Sequence, residues 1–467
     1  MKTKTQGLPQ VADVPHAQAT YHEPRCSLYQ GNPLIEALPV PIDDAALAEK
    51  LSFYPAYTRK LDTQAPAVER HEMIGGLKYF FQSLPRHAHL AQGISSMIRS
   101  GYVPRCPLSV GGQQLSVPRS LESAALMGSS GTGKSQSIER ILRLYEQVIV
   151  HSNYKGKQIS ETQVVWLKVE CPHDGSPRAL CTTFLEKLDV VLGTNYSDAY
   201  GGQRSTINTM IPAVVKLARI HHLGLLVIDE IQNLLVRKTG AGEELLNFIV
   251  RIINDIGIPV LMVGTANTDQ FLSQAFRVTR RATNFLQPDW GRLVENHPEW
   301  EIFITELWRY RYVQKDSPLT DAMKHLVYDL TQGIPDLAVK LYSLSQQYAI
   351  NNEIEQVTPE VLKAVASQAF VRNRKYLQDL RNGITPRGDI VYEEAFSQPK
   401  LPLFPDDPVK PGKKTRKKTE PALDAPSLVL FGGAAVPDGE STYEAMKRAG
   451  NVHRPDSQEP TTVTAVK

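Results

Sequence analysis

The sequence predicts an α/β domain, a parallel sheet with crossover helices, followed by a small α-helical domain. Three observations carry that prediction. Gly128 to Ser135 reads GSSGTGKS and fits the phosphate-loop pattern G-x-x-x-x-G-K-[ST] at every fixed position. From Leu121 to about Gln287, short apolar runs alternate with segments of helical period. After Trp308 only helical periodicity is left.

The phosphate loop sits where such a loop must sit. Ser123 to Met127 is short and apolar, as a buried parallel strand should be. Ile138, Ile141, Leu142 and Tyr145 then recur at helical spacing. The glycines let backbone N–H groups turn inward around phosphates, and the helix N-terminus adds partial positive charge. Gly128, Ser129, Ser130, Gly131, Thr132, Gly133, Lys134, Ser135 and Gln136 are the candidate ATP-binding residues. Lys134 would reach the β and γ phosphates, and the Ser135 hydroxyl would ligate Mg2+. A Gly/Ser-rich turn with a surface lysine is the plainer alternative, and the strand and helix context weighs against it.

Further strands are expected at Val164–Val169, Leu225–Ile228 and Pro259–Gly264, with a helix over Glu243–Asp255. Asp229 and Glu230 follow the third strand directly, in LLVIDE. An Asp at that strand end, facing the phosphate loop of a neighbouring strand, can hold the Mg2+ water shell. Glu230 can orient and deprotonate the attacking water. Two acidic residues capping the next helix would look the same. The fourth strand runs into Thr265 and Asn267, either of which can meet the γ phosphate or the water. Arg277, Arg280 and Arg281 end a short helical stretch, where an arginine can complete a neighbouring subunit's site. A basic surface turn explains any single one of them equally well.

At 467 residues the chain should hold about two to four domains. Residues 1–100 are expected to form a Pro-rich arm with packing helices that docks on a neighbour or partner. Within them, one face of a helix over Leu84–Ser100 should pack on the nucleotide domain, with Gly101 as C-cap. Residues 101–310 are expected as the core, 311–397 as the helical lid, and 398–467 as a disordered tail. Thr358 should cap a lid helix that starts at Pro359.

Net charge is only +3, so no global field marks a nucleic-acid binder. DNA contacts would come from local patches: Lys155 and Lys157 before the second strand, and Lys413 and Lys414 within KPGKKTRKK. The four cysteines show no C-x-x-C pair, which suits free thiols in a cytoplasmic protein. His221-His222 lacks a third metal ligand nearby. No apolar run approaches the roughly 20 residues a membrane helix needs, so no membrane partner is expected.

Taken together, the phosphate loop, LLVIDEIQNL, VGTANT, the arginine cluster and GIPDLAVKLY resemble the AAA+ ATPases that regulate bacterial transposition, the TnsC/TniB family. NPLIEALP, SGYVPR and LKVECPHDGS agree, and the resemblance covers about residues 28 to 370. The phosphate loop and the DE pair are common to all AAA+ proteins. DEIQNL, VECPHDGS and GIPDLAVKLY are the narrower marks.

The resemblance implies a P-loop AAA+ fold, ATP and Mg2+ as cofactors, and a ring or helical homo-oligomer on double-stranded DNA. It also implies a TniQ/TnsD-type target selector, in some members with a CRISPR effector, and transposase subunits as partners. By position, Lys134 and Ser135 bind phosphate and Mg2+, Asp229 is the Mg2+ carboxylate, Glu230 the base and Thr265 the polar sensor. The tail after about 397 departs from small members of the family. A protein-remodelling ATPase without a DNA role is the alternative, but CPHDGS stands where an aromatic-hydrophobic pore loop would follow the second strand. An intact Glu230 argues against a third reading, a switch that never turns over.

Overall fold

A computed structural model describes residues 16–108, 123–173, 176–202, 205–235, 258–265 and 290–384. These residues all fall within one compact unit, 1–405. The described residues begin with β1 (Ala17–Gln18) and four α-helices of nine residues or fewer, α1 (Pro33–Glu36), α2 (Asp44–Leu51), α3 (Arg59–Asp62) and α4 (Ala67–Gly75). After α5 (Pro85–Tyr102) come β2 (Ala124–Met127), α6 (Lys134–Leu142), β3 (Val148–Tyr154), β4 (Lys157–Val164) and β5 (Trp166–Glu170). Three helices, α7 (Pro177–Leu192), α8 (Tyr196–Tyr200) and α9 (Ile207–Ile220), lead to β6 (Leu225–Asp229), and β7 (Val260–Gly264) follows. The described chain closes with α10 (Pro298–Trp308), α11 (Asp321–Thr331), α12 (Pro335–Asn351), α13 (Pro359–Ala369) and α14 (Arg374–Arg381).

The main sheet is parallel, in the order β2-β7-β6-β5. Side chains of a strand alternate between faces, and here both faces are covered, which is why the strands read as unbroken apolar runs. On β6, Leu225 and Val227 join the cluster beneath α5 and α6, while Leu226 and Ile228 join the one beneath α7 and α9. β7 splits the same way, Leu261 and Val263 against Val260 and Met262. β7 lies between β2 and β6, so the strand ending in Asp229 is one place removed from the loop-bearing strand, not its neighbour.

Four differences from the sequence-based expectation have physical reasons. The region before β5 is a hairpin, β3 and β4, which also pairs with β1. Its strands mix polar and apolar residues because much of the hairpin is exposed. Residues 33–51 do not extend outward: Leu34, Ile35, Leu38, Leu47 and Leu51 are buried with α5 and α6 of the same chain. Asn32 starts that turn, its Oδ1 accepting from Leu34 N–H at 3.1 Å. Gly101 is not a C-cap, since α5 runs on to Tyr102. It is a close-approach position, where a Cβ would lie 2.7 Å from the Pro259 ring.

The helical domain reaches further back than residue 311. Trp300, Phe303, Ile304, Leu307 and Trp308 of α10 share one cluster with Leu337, Leu341 and Leu362 of the later helices. Ile74, Leu77, Phe80 and Leu84, upstream of the sheet, belong to it as well. As expected, α13 starts at Pro359 with Thr358 Oγ1 accepting from Val361 N–H. The expected helix over 243–255 and the tail 398–467 lie outside the described residues. No helix of the described residues is long and apolar enough to cross a membrane.

Candidate functional site

The phosphate-loop motif wraps the N-terminus of α6. Gly131 and Gly133 take φ of +76° and +86°, and Gly133 is the residue from which α6 starts. Left-handed backbone is cheap only for glycine, so these two glycines follow from the turn. Lys134 is buried, its Nζ donating to Gly128 O at 2.6 Å and Ser129 O at 2.8 Å. Thr132 Oγ1 donates to Ser129 O at 2.7 Å and tightens the loop.

Residues 130–136 face a cleft of about 870 Å³, and Asp229, Glu230 and Thr265 line the same cleft. Gly128 and Ser129 stand behind it as acceptors for Lys134.

Asp229 ends β6 and is buried. Its Oδ1 accepts from the N–H of Glu230 at 2.9 Å, and its Oδ2 lies 3.0 Å from Lys168 Nζ. Lys168, on β5, also donates to Glu139 Oε1 of α6 at 2.6 Å. Burial pulls the Lys168 ammonium toward neutrality, but Glu139 and Asp229 together outweigh it and raise its pKa. Glu230 has φ +57°, a left-handed conformation rare for a side-chain-bearing residue. Gln232 Nε2 donates to Glu230 Oε2. Thr265 follows β7, and because that strand lies between β2 and β6 it sits between the loop and the carboxylates.

The opposite wall comes from distant parts of the chain. Trp290 grips the loop at two points: its N–H donates to Met127 O at 2.6 Å and its Nε1 to Thr132 O at 2.8 Å. His87 packs on the indole, with ring centroids 5.4 Å apart. Burial, then the Arg86 charge, lowers the His87 pKa to about 3, so the ring is neutral; its Nδ1 accepts from Leu84 N–H at 2.7 Å. Arg86 lies over the Trp290 ring and donates through Nε to Glu299 Oε2 at 2.8 Å. Asp336, in the first turn of α12, donates its N–H to Gly131 O at 3.2 Å. Lys340 pairs with Asp336 at 2.8 Å and lines the cleft. Ile74, Phe80, Phe303 and Val339 make the wall apolar.

Other expected site residues lie elsewhere. Lys155 sits in the turn of the β3–β4 hairpin, its Nζ 3.1 Å from Glu36 Oε1, and Lys157 opens β4; neither lines the cleft. His221 and His222 are bonded to Tyr196 and Glu161. Among the described residues no group of three His, Cys, Asp or Glu has metal-site geometry. All four cysteines are free. Asn267, Arg277, Arg280, Arg281, Lys413 and Lys414 lie outside the described residues.

The cleft fits a nucleoside triphosphate. Its volume is in the range of about 300–1,000 Å³ typical of ligand sites, with an apolar wall for a base and a cationic loop for phosphates. A hydroxyl at 135 and a carboxylate at 229 are hard oxygen donors, the set that Mg2+ takes with phosphate.

The profile of the AAA domain family matches residues 120–272, a span that opens just before the loop strand and ends beyond Thr265. The chain carries an AAA-type ATPase domain. No curated protein matches the sequence. Three solved structures similar to the chain are distant from it. The ORC1 protein of Aeropyrum pernix in complex with DNA has 17% identity and a TM-score of 0.40, over 62% of this chain and 67% of that one. A Walker-type ATPase of Pyrococcus abyssi has 11% identity and a TM-score of 0.37, over 66% and 77%. PCH-2 of C. elegans has 15% identity and a TM-score of 0.30, over 62% and 68%.

Around the motifs of this AAA domain, sequence reading missed Lys168, Gln232, Trp290 and the Arg86–Glu299 pair. Gln232 lies within DEIQNL, a motif already singled out, so its proximity to Glu230 was open to view. Trp290 and Arg86 carry no local pattern that would have revealed them.

Proposed function

We propose that this protein is an ATP-switched DNA scaffold of the TnsC/TniB kind, which assembles on duplex DNA and couples target-site selection to transposase recruitment. One observation supports it above the others. Two of the three motifs that carry the resemblance line one cleft, and the third bonds to a strand end that bounds it. DEIQNL supplies Asp229 and Glu230. Cys171 of VECPHDGS joins the end of β6, its N–H donating to Asp229 O at 2.8 Å and its O accepting from Asn233 Nδ2 at 2.9 Å. GIPDLAVKLY covers the cleft through Asp336 and Lys340.

In this reading Lys134 and the loop N–H groups hold the β and γ phosphates, and Ser135 and Asp229 hold Mg2+. Bound ATP with Mg2+ supplies an activated phosphoryl group whose charge is partly neutralised. Glu230 takes the proton of the attacking water, and Thr265 fixes the γ phosphate or that water. Arg280 or Arg281 of a neighbouring subunit completes the site, so turnover follows assembly in a ring or helix. Lys155, Lys157, Lys413 and Lys414 meet the DNA backbone. A TniQ/TnsD-type selector and transposase subunits are the partners. α1, α2 and α5 buttress the sheet, the helices from α10 onward act as lid, and 398–467 serve as an auxiliary tail.

Electron microscopy with duplex DNA and a slowly hydrolysed ATP analogue tests this. The expected result is ordered oligomers on DNA only with nucleotide, and none for Lys134→Ala. Equal DNA binding with and without nucleotide would overturn the scaffold reading.

A further inference from the structure

We infer that Gln232 is a positioning residue that ties the Glu230 carboxylate to the end of β7, so that the base and Thr265 move as one unit. The inference rests on the ATPase reading above.

The Gln232 amide is shared between two strand ends. Nε2 donates to Glu230 Oε2, and Oε1 accepts from the N–H of Thr265 at 3.2 Å. A side-chain amide offers a donor and an acceptor on one planar group. A carboxylate at 232 would lack the donor, and a lysine the acceptor. The adjoining strand end is emptied to admit it. A Cβ on Gly264 would lie 2.6 Å from Ile231 Cγ2 and 3.0 Å from Gln232 Oε1, so any larger residue would push the turn away.

The backbone around Gln232 is fastened on both sides. Glu230 is left-handed at φ +57°, a strained conformation for a residue with a side chain that persists only where the surroundings hold it. Here Ile231 is fully buried, Asn233 N–H donates to Glu230 O at 3.0 Å, and Asn233 Nδ2 donates to Cys171 O at 2.9 Å. Glu230 therefore cannot drift with its own backbone, and the freedom left to its carboxylate is side-chain rotation. The Gln232 donor restrains that rotation and refers it to β7. Any shift of Thr265 on contact with phosphate is passed to Glu230 through these two bonds. Misplacing a catalytic group by about 1 Å can cost roughly a hundredfold in rate.

Three variants of the full chain test the link, each followed by steady-state kinetics, fluorescent-nucleotide binding, thermal unfolding and amide exchange. Gln232→Ala is expected to lower kcat ten- to hundredfold, leaving KM and nucleotide Kd within twofold and Tm close to the unmutated value. In nucleotide-free protein it should also speed exchange at the Thr265 N–H. Gln232→Glu, equal in length but without the donor, should lose at least as much kcat. Placed on Glu230→Gln, the Ala change should add nothing. Unchanged or raised kcat in Gln232→Ala, full activity in Gln232→Glu, or a parallel fall in nucleotide affinity and Tm would each overturn the proposal. The two readings fail separately: an unmutated protein without turnover sinks the ATPase reading, while unaltered Thr265 exchange in Gln232→Ala sinks the link.

Discussion

The two sides of the nucleotide cleft are built on different principles. The floor is made of consecutive residues at the ends of β2, β6 and β7, where strand order alone brings them together. The wall is made of single side chains from residues 74–87 and 290–347, more than 200 positions apart, held together by packing and by the Arg86–Glu299 ion pair. The floor is therefore the place for chemistry and the wall the place for fit. Substitutions in the first should change turnover, and substitutions in the second should change stability and affinity together.

The largest effect is expected on the floor. Glu230→Gln should lower kcat by about 10²–10⁴-fold, the usual yield of a positioned general base, while nucleotide affinity holds within a few-fold. Single-turnover hydrolysis beside fluorescent-nucleotide titration measures both. Affinity falling as far as rate would dissolve the distinction between floor and wall.

On the wall, Trp290→Ala removes a buried indole and its Nε1 bond to Thr132 O, while the main-chain bond to Met127 O stays, at about 3–5 kcal/mol. Thermal unfolding should show a lowered Tm that saturating ATP partly restores, with nucleotide affinity reduced as well. A variant with wild-type Tm and weakened affinity would make Trp290 a ligand contact instead of a strap.

A smaller and pH-dependent effect belongs to Glu299. Burial would raise its pKa, but the hydrogen bonds and charge of Arg86 outweigh burial and hold it below the usual 4.5. A depressed carboxyl contributes stability that is present above pH 4.5 and is lost as pH falls through the lower folded value. Glu299→Gln should cost about 1–3 kcal/mol at pH 7, since Arg86 loses its charged partner. Melting curves at pH 7 and below pH 4.5 should show that gap narrowing on acidification; a constant gap would mean that the pairing charge contributes nothing.

The same contrast explains what could be read beforehand. Strand, loop and carboxylate positions on the floor were legible because a short run such as GSSGTGKS or LLVIDE encodes its own backbone path. The C-terminal helices were legible from their period and from caps such as Thr358-Pro359. The wall was not, because Arg86, Trp290 and Glu299 meet only through tertiary packing and none has a sequence neighbour that specifies its role. Residues 33–51 were misjudged for a related reason. Proline density correctly ruled out long helices there, but it says nothing about whether short ones are buried, and Leu34, Leu47 and Leu51 are.

The hydrogen bond from Asp336 N–H to Gly131 O has a mechanical consequence. It makes the phosphate loop the pivot of α12, a helix of 17 residues and so about 25 Å long. The far end of that lever is braced. Asn351 Oδ1 is 2.8 Å from His71 Nε2, and just beyond it Glu355 pairs with Arg70 at 2.7 Å. Pivot, arm and brace close a loop through α4, so a displacement at the phosphates has no slack to vanish into. It must be carried by the 70–71 brace or by bending the helix, and stiffening that brace would set how much motion a bound triphosphate can transmit.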